Sequence, residues 1–240
     1  MGESRHNPNQ LLKTIQADEG NRNKGHLKIF FGYAAGVGKT YAMLEAAHME
    51  KQQGIDVVAG YVEPHACPKT AALLNGLEVL PTSEVLYNGM ILNEFDIDMA
   101  LKRKPQLILV DELAHTNAEG CRHAKRYQDI KELLNAGIDV YTTVNVQHIE
   151  SFCDTVASIT EIVVRERIPD SLFDNADQVE LIDIEPQDLI DRLNTGNVYR
   201  QTQAKQAVEN FFTIENLTAL REIALRRCAD RVNILTENAR

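Results

Sequence analysis

Lys39 and Thr40 stand directly behind two glycines, Gly36 and Gly38, in the run KIFFGYAAGVGKTYAMLEAA from Lys28 to Ala47. That combination can cradle a nucleoside triphosphate. Glycines let backbone N–H groups approach the phosphates, a lysine neutralises the terminal ones, and a hydroxyl next to it can ligate Mg2+. A helix opening at Lys39 would add the positive end of its dipole to the same anion site. The candidate phosphate-binding residues are therefore Gly36, Val37, Gly38, Lys39, Thr40 and Tyr41. One departure from the strict pattern is visible. Tyr33 occupies the place of the first glycine, and the nearest glycine, Gly32, comes one residue early. The first glycine mainly eases the exit from the strand, so binding is expected to survive.

A second candidate element is the pair Asp111-Glu112, which follows the apolar run LILV. This places two carboxylates at the carboxyl end of a buried strand, the sheet edge where α/β proteins bind ligands. Asp111 can hold Mg2+ through water together with Thr40, and Glu112 can orient or deprotonate an attacking water. The stretch IDVYTTVNVQHIE ends in a polar cluster of Thr142, Thr143, Asn145, Gln147 and His148. By analogy with P-loop ATPases, its strand is expected between the phosphate-loop strand and the Asp111 strand. Asn145 or Gln147 is then a candidate sensor of ATP against ADP, with capping of the next helix as the alternative role for Asn145. His65, His115, His123 and His148 match no metal-ligand spacing. Structural hydrogen bonding is expected of them, with a nucleotide contact for His115 as the exception.

These residues need a scaffold that brings strand ends together, and the chain alternates strand-like and helix-like segments in the manner of a parallel α/β sheet. Strands are expected at Leu27–Gly32, Asp56–Val62, Gln106–Val110, Ile138–Val144, Glu161–Arg165 and Val179–Ile184. Helices are expected near Lys39–Gln53, Lys69–Asn75, Ile97–Arg103, His123–Ala136 and Gln147–Ala157. Asn88-Gly89 between short apolar runs signals a small antiparallel hairpin. Past Pro186 the pattern turns helical, with pieces at Asp188–Leu193, Val198–Phe212 and Asn216–Ala229. Arg221, Arg226, Arg227 and Arg231 in that tail form either a docking surface or a solvated helix face. The expected division is a flexible or partly helical stretch 1–26, a P-loop α/β domain 27–185, and a helical extension 186–240 that packs on it or leads to a following domain.

Composition narrows the function classes. A chain of 240 residues with a formal charge of −10 is large enough for one α/β domain with a full core, and it shows no basic stripe for nucleic acid or an anionic membrane surface. The four cysteines are scattered without paired short spacing, as in a reduced, cytoplasmic protein. The polar N-terminus is no secretory signal, and the longest apolar runs fall far short of the roughly 20 residues that span a bilayer.

Several segments together carry a more specific likeness. KIFFGYAAGVGKTYAMLEAA, GYVEPH at Gly60–His65, LVDELAHTN at Leu109–Asn117, RHAKRYQDI at Arg122–Ile130, GIDVYTTVNVQHIES at Gly137–Ser151 and NLTALREIALRRCADRV at Asn216–Val232 resemble the N-terminal cytoplasmic domain of the KdpD family of sensor histidine kinases. Those kinases control a high-affinity potassium-transport operon. The resemblance implies an ATP-binding domain that is regulatory. It precedes a universal-stress-protein-like domain, membrane helices and a kinase core, and it tunes kinase against phosphatase output toward a KdpE-like response regulator. Its implied partners are the following domains of such a kinase or a separate kinase subunit. Ala35 stands where the family usually has proline, and Tyr33 and Cys67 are also unusual, departures that bear on affinity rather than identity. The residues themselves include no phosphoacceptor histidine motif, so histidine autophosphorylation by this segment is not expected, whether it is a piece of a longer protein or a natural short form. At most slow ATP hydrolysis is expected. The rival reading is a P-loop phosphotransferase or ATPase acting on a small molecule, and a motor on nucleic acid is disfavoured by the charge.

Overall fold

The computed structural model describes residues 24–63, 68–87, 89–195 and 211–238. Its centre is β1 (Leu27–Gly32), whose sequence LKIFFG is almost wholly buried. Side chains alternate across a strand. Accordingly, Ile29 and Phe31 enter one core and Phe30 the core on the opposite face. The same alternation divides β6 (Leu107–Val110), with Ile108 and Val110 on the first face and Leu107 and Leu109 on the second. A strand apolar on both faces must be covered on both, which favours a parallel sheet under two helical layers.

Six strands form that sheet in the order β3-β2-β6-β7-β1-β8, where β2 is Val57–Tyr61, β3 Glu78–Val79, β7 Asp139–Asn145 and β8 Gln178–Leu181. Every pairing within it is parallel. As the sequence suggests, β7 lies between β1 and β6. Helix α1 (Lys39–Gln52) covers one face through Met43, Leu44, Ala46 and Ala47, beside the short α2 (Pro68–Ala72). The other face carries α3 (Ile97–Arg103), α4 (Arg126–Asn135), α5 (Cys153–Thr160), the short α6 (Asp170–Asp174), α7 (Pro186–Asn194) and the long α8 (Ile214–Asn238). Strands β4 (Ser83–Tyr87) and β5 (Met90–Glu94) form the expected hairpin, with Tyr87 opposite Met90.

Three local expectations are corrected. Glu161–Arg165 is not a strand; the sheet edge next to β1 is taken by β8 instead, and Val163 in this segment is exposed. The helix expected over Gln147–Ala157 is split into single 3-10 turns at Val146–His148 and Glu150–Phe152 before α5. The cause is that Ile149 between the turns is extended and bridges to Ile168. Helix α4 starts at Arg126 rather than His123, because Lys125 is extended and bridges to Thr116.

The tail arginines mostly serve packing. Arg227 and Arg231 are buried, the first on Asp174 at 2.6 Å and the second on the carbonyls of Phe173 and Ala176. Arg221 grips Asp183 and Glu185, and only Arg226 is a solvated pair, with Glu222. With Leu189, Leu217, Leu220 and Ala224, helices α7 and α8 share the core of β1. The expected helix over Val198–Phe212 falls almost wholly outside the described residues, as do His65 and Cys67. Among the described residues, no helix is long and apolar enough to cross a membrane.

Candidate functional site

In a parallel sheet all carboxyl ends point one way, so the segments leaving β1, β2, β6 and β7 meet on a single edge. They line a cavity of about 810 Å³. Every residue of the candidate phosphate set is in its wall, Gly36, Val37, Gly38, Lys39, Thr40 and Tyr41, together with Asp111, Glu112 and Asn145.

The loop from Gly32 to Thr40 owes its path to glycine at specific points. Gly38 has φ 112° and Gly36 φ 88°, both in the left-handed region that costs other residues roughly 1–2 kcal/mol. Gly32 answers the question posed by Tyr33. A Cβ on Gly32 would lie 2.7 Å from Val37 Cγ2 and 3.2 Å from Lys39 Cδ, so this early glycine makes the space for the loop to fold back. Tyr33 is then free to be a core residue. It is fully buried, and its hydroxyl donates to the Ile184 carbonyl at 3.2 Å, just beyond β8.

Lys39 lies under the loop, 9 % exposed, its Nζ donating to the Ala34 carbonyl at 3.0 Å. Burial lowers its ammonium to about 8 against the pull of Asp111 and Glu112. Thr40 Oγ1 donates to Asp111 Oδ2 at 3.0 Å, which joins the loop to the end of β6. Asp111 is itself buried, and its Oδ1 accepts from the Glu112 N–H at 3.1 Å and from the Thr143 hydroxyl of β7. One carboxylate thus draws three elements together.

Glu112 has φ 61°, one of three non-glycine residues among those described that are held in the left-handed region. The turn is fixed by Leu113 N–H donating to the Thr143 carbonyl at 3.0 Å and by Arg126 Nη1 donating to the Asp111 carbonyl at 3.3 Å. Backbone of this kind persists only where the surroundings over-determine it, and such residues cluster at functional sites. Burial, and then the charge of Asp111, push the Glu112 carboxyl up to about 7. Solvent tempers this, because the side chain is 43 % exposed.

The sign of the resulting pH effect is fixed. Between the ordinary carboxylate range and about pH 7 the folded chain binds more protons at Glu112 than the unfolded chain does, so stability falls as pH rises through that window. Urea unfolding at pH 5 and pH 7.5 should show a smaller loss in Glu112→Gln than in the wild type. Equal losses in the two proteins would mean that Glu112 is not the titrating group.

The polar cluster of β7 is divided by strand alternation. Thr143 reaches Asp111, whereas Thr142 is buried away from the cavity. Asn145 lines the cavity. Its side chain makes no helix-cap bond, and its Oδ1 is buried without a hydrogen-bond partner among the described residues. The capping alternative therefore does not hold. Gln147 does not line the cavity.

Two histidines reach the wall. His115 donates from Nε2 to the Glu94 carboxylate at 3.1 Å. His148 Nδ1–H donates to the Glu166 carbonyl at 2.9 Å, and burial lowers its pKa, so it presents a neutral ring. His123 bonds Glu132 on α4 at 2.7 Å, a structural role.

Several contributors were not singled out from sequence. Glu63, Lys69, Glu166 and Arg192 all line the cavity. Behind it, Arg126 is fully buried, paired with Glu94 at 3.0 Å and stacked 4.1 Å from the Tyr61 ring. The sequence signal for Arg126 is weak, a single cation at the head of an ordinary amphipathic helix.

Chemically, the arrangement offers backbone N–H groups and a buried cation for an anion, a hydroxyl and a carboxylate side by side for a divalent ion, and a carboxyl titrating near neutrality. The cavity volume lies within the range of small-molecule sites, roughly 300–1,000 Å³.

Comparison with known proteins gives a family match over most of the chain. The KdpD family, described as the osmosensitive K+ channel His kinase sensor domain, matches residues 23–232. Sensor protein KdpD of Clostridium acetobutylicum is 62 % identical over 98 % of the chain, that of Escherichia coli 56 % over 95 %, and that of Mycobacterium tuberculosis 51 % over 87 %. The chain spans about a quarter of the length of these relatives, 26 %, 25 % and 24 %. With the match running through the glycine loop, the Asp111-Glu112 strand and helix α8, the chain belongs to the KdpD family as its osmosensitive K+ channel His kinase sensor domain.

Proposed function

We propose that this domain binds Mg·ATP at the carboxyl edge of its sheet and serves as a nucleotide-responsive regulatory module of a sensor histidine kinase in potassium and osmotic signalling. The observation that carries the reading is the Thr40–Asp111 hydrogen bond at 3.0 Å beside buried Lys39, since this pairing sets a metal-competent hydroxyl and carboxylate against an anion-binding loop. Asn145 lines the cavity, and its side-chain amide NH2 is the donor suited to sense the terminal phosphate. Thr40 and Asp111 would hold Mg2+, which when bound supplies charge neutralisation for the phosphates. Lys39 and the loop N–H groups bind the anion, and Glu112 orients water as a weak base. The name shared by the relatives, sensor protein, supports a role in signalling. Acting through the rest of such a kinase, the module tunes its output toward a KdpE-like response regulator.

Thermal unfolding of the chain with Mg·ATP, with Mg·ADP and without ligand tests the reading. Nucleotide at about a hundred times its Kd should stabilise the fold by roughly 2.7 kcal/mol. Glu112→Gln should keep the ATP-induced shift and lose residual hydrolysis. Absence of any shift at millimolar nucleotide would overturn the proposal, and fast ATP consumption triggered by one metabolite would point instead to a small-molecule phosphotransferase.

A further inference from the structure

Helix α7, outside the segment read from sequence as the nucleotide domain, sends one side chain back to the loop. Arg192 in its last turn lines the cavity, and its Nη1 donates to the Val37 carbonyl at 3.4 Å. The same Nη1 lies 3.9 Å from where a Cβ on Gly38 would stand, which puts the guanidinium in van der Waals range of the phosphate loop. The helix that carries Arg192 is anchored in two ways. Leu189 is fully buried in the main core, and the connection from β8 is held by the Tyr33 hydroxyl on Ile184 and by Arg221 of α8 on Asp183 and Glu185.

We infer that Arg192 is a further ligand-binding residue, a cationic arm that α7 places on the polyphosphate chain of the nucleotide. The inference rests on the nucleotide reading of the site. A guanidinium is always charged and presents planar paired donors that match phosphate oxygens. Its present acceptor, a single loop carbonyl at the long end of hydrogen-bond distance, satisfies it only in part. The consequence reaches past affinity. An anion held between the glycine loop and Arg192 ties α7 to β1, and through Asp183 and Glu185 the same connection is tied to α8. Occupancy of the cavity is thereby registered by the C-terminal helices, and Tyr33 in place of the usual glycine is part of the tie.

Titration calorimetry on the whole chain with Mg·ATP and with inorganic tripolyphosphate tests this, comparing wild type, Arg192→Gln, Arg192→Lys and, as a control, the exposed Arg226→Gln. Loss of one charge-assisted hydrogen bond predicts that Arg192→Gln weakens both ligands by roughly ten- to a hundredfold, with Arg192→Lys intermediate and Arg226→Gln unchanged. Wild-type binding that Arg192→Gln leaves intact would overturn the inference alone. Weakened ATP with unchanged tripolyphosphate would also overturn it, by assigning Arg192 to the base. A wild-type chain that binds neither ligand would remove the nucleotide reading, and this inference with it.

Discussion

Lys39→Ala should bind Mg·ATP more weakly than the wild type by roughly 2–5 kcal/mol, the usual cost of removing a desolvated charge from its ionic partner. The size follows from burial. Lys39 is 9 % exposed, so little water is available to replace its ammonium beside a bound phosphate. The fold should survive the change. The cost of burying the ammonium, visible in its lowered pKa, disappears with the charge, while the loss falls on one hydrogen bond to Ala34. Lys39→Met keeps most of the stem and should match Lys39→Ala in binding while sitting closer to the wild type in Tm. Calorimetry gives the affinity and thermal unfolding the stability. Wild-type affinity in both variants would show that the loop is not a phosphate site.

Arg126→Ala should be the most damaging single substitution for stability, at about 3–5 kcal/mol, because it strands a buried charge. Glu94 is nearly inaccessible. Burial works against its ionised form, yet hydrogen bonds from His115 and the Ala118 N–H, together with the Arg126 charge, hold its carboxyl below the usual range. Without Arg126, that balance tips. The Asp111 carbonyl also loses a donor, and Tyr61 loses the guanidinium stacked on its ring. For a chain of this size Tm should fall by on the order of 10 °C. The double variant Glu94→Gln with Arg126→Met should recover much of the loss, since it removes both charges and keeps the volume. A loss below about 1 kcal/mol in urea unfolding of Arg126→Ala would contradict this account.

The strands and the loop were legible because each is a local pattern. LKIFFG and LILV are apolar on both faces, and GVGKT joins a strand to a helix at fixed spacing. The order of β7 between β1 and β6 followed only by analogy, since no local pattern encodes which strands pair. Where reading failed, the deciding contact was distant in sequence. Ile149 breaks an otherwise helical stretch because it pairs with Ile168, and Glu161–Arg165, with strand-like composition, found its sheet edge taken by β8. Arg192 carried no signal and Arg126 only a weak one, since an arginine on a helix is ordinarily a solvated residue and only the folded chain brings these two to Glu94 and Val37. Tyr33 was legible as a departure, but its reason, a bond to Ile184 across the sheet, was not.

The left-handed backbone of Glu112 sets evolution and engineering at odds at this position. Glycine is the residue that such a φ favours, so selection for thermal hardiness alone would drift toward Glu112→Gly, which relieves a conformational cost of order 1 kcal/mol. The carboxyl that poises the cavity would vanish with that gain. A library sorted by heat resistance alone would thus lose that carboxyl at this codon, and thermostable variants of the domain are best sought with residue 112 held fixed.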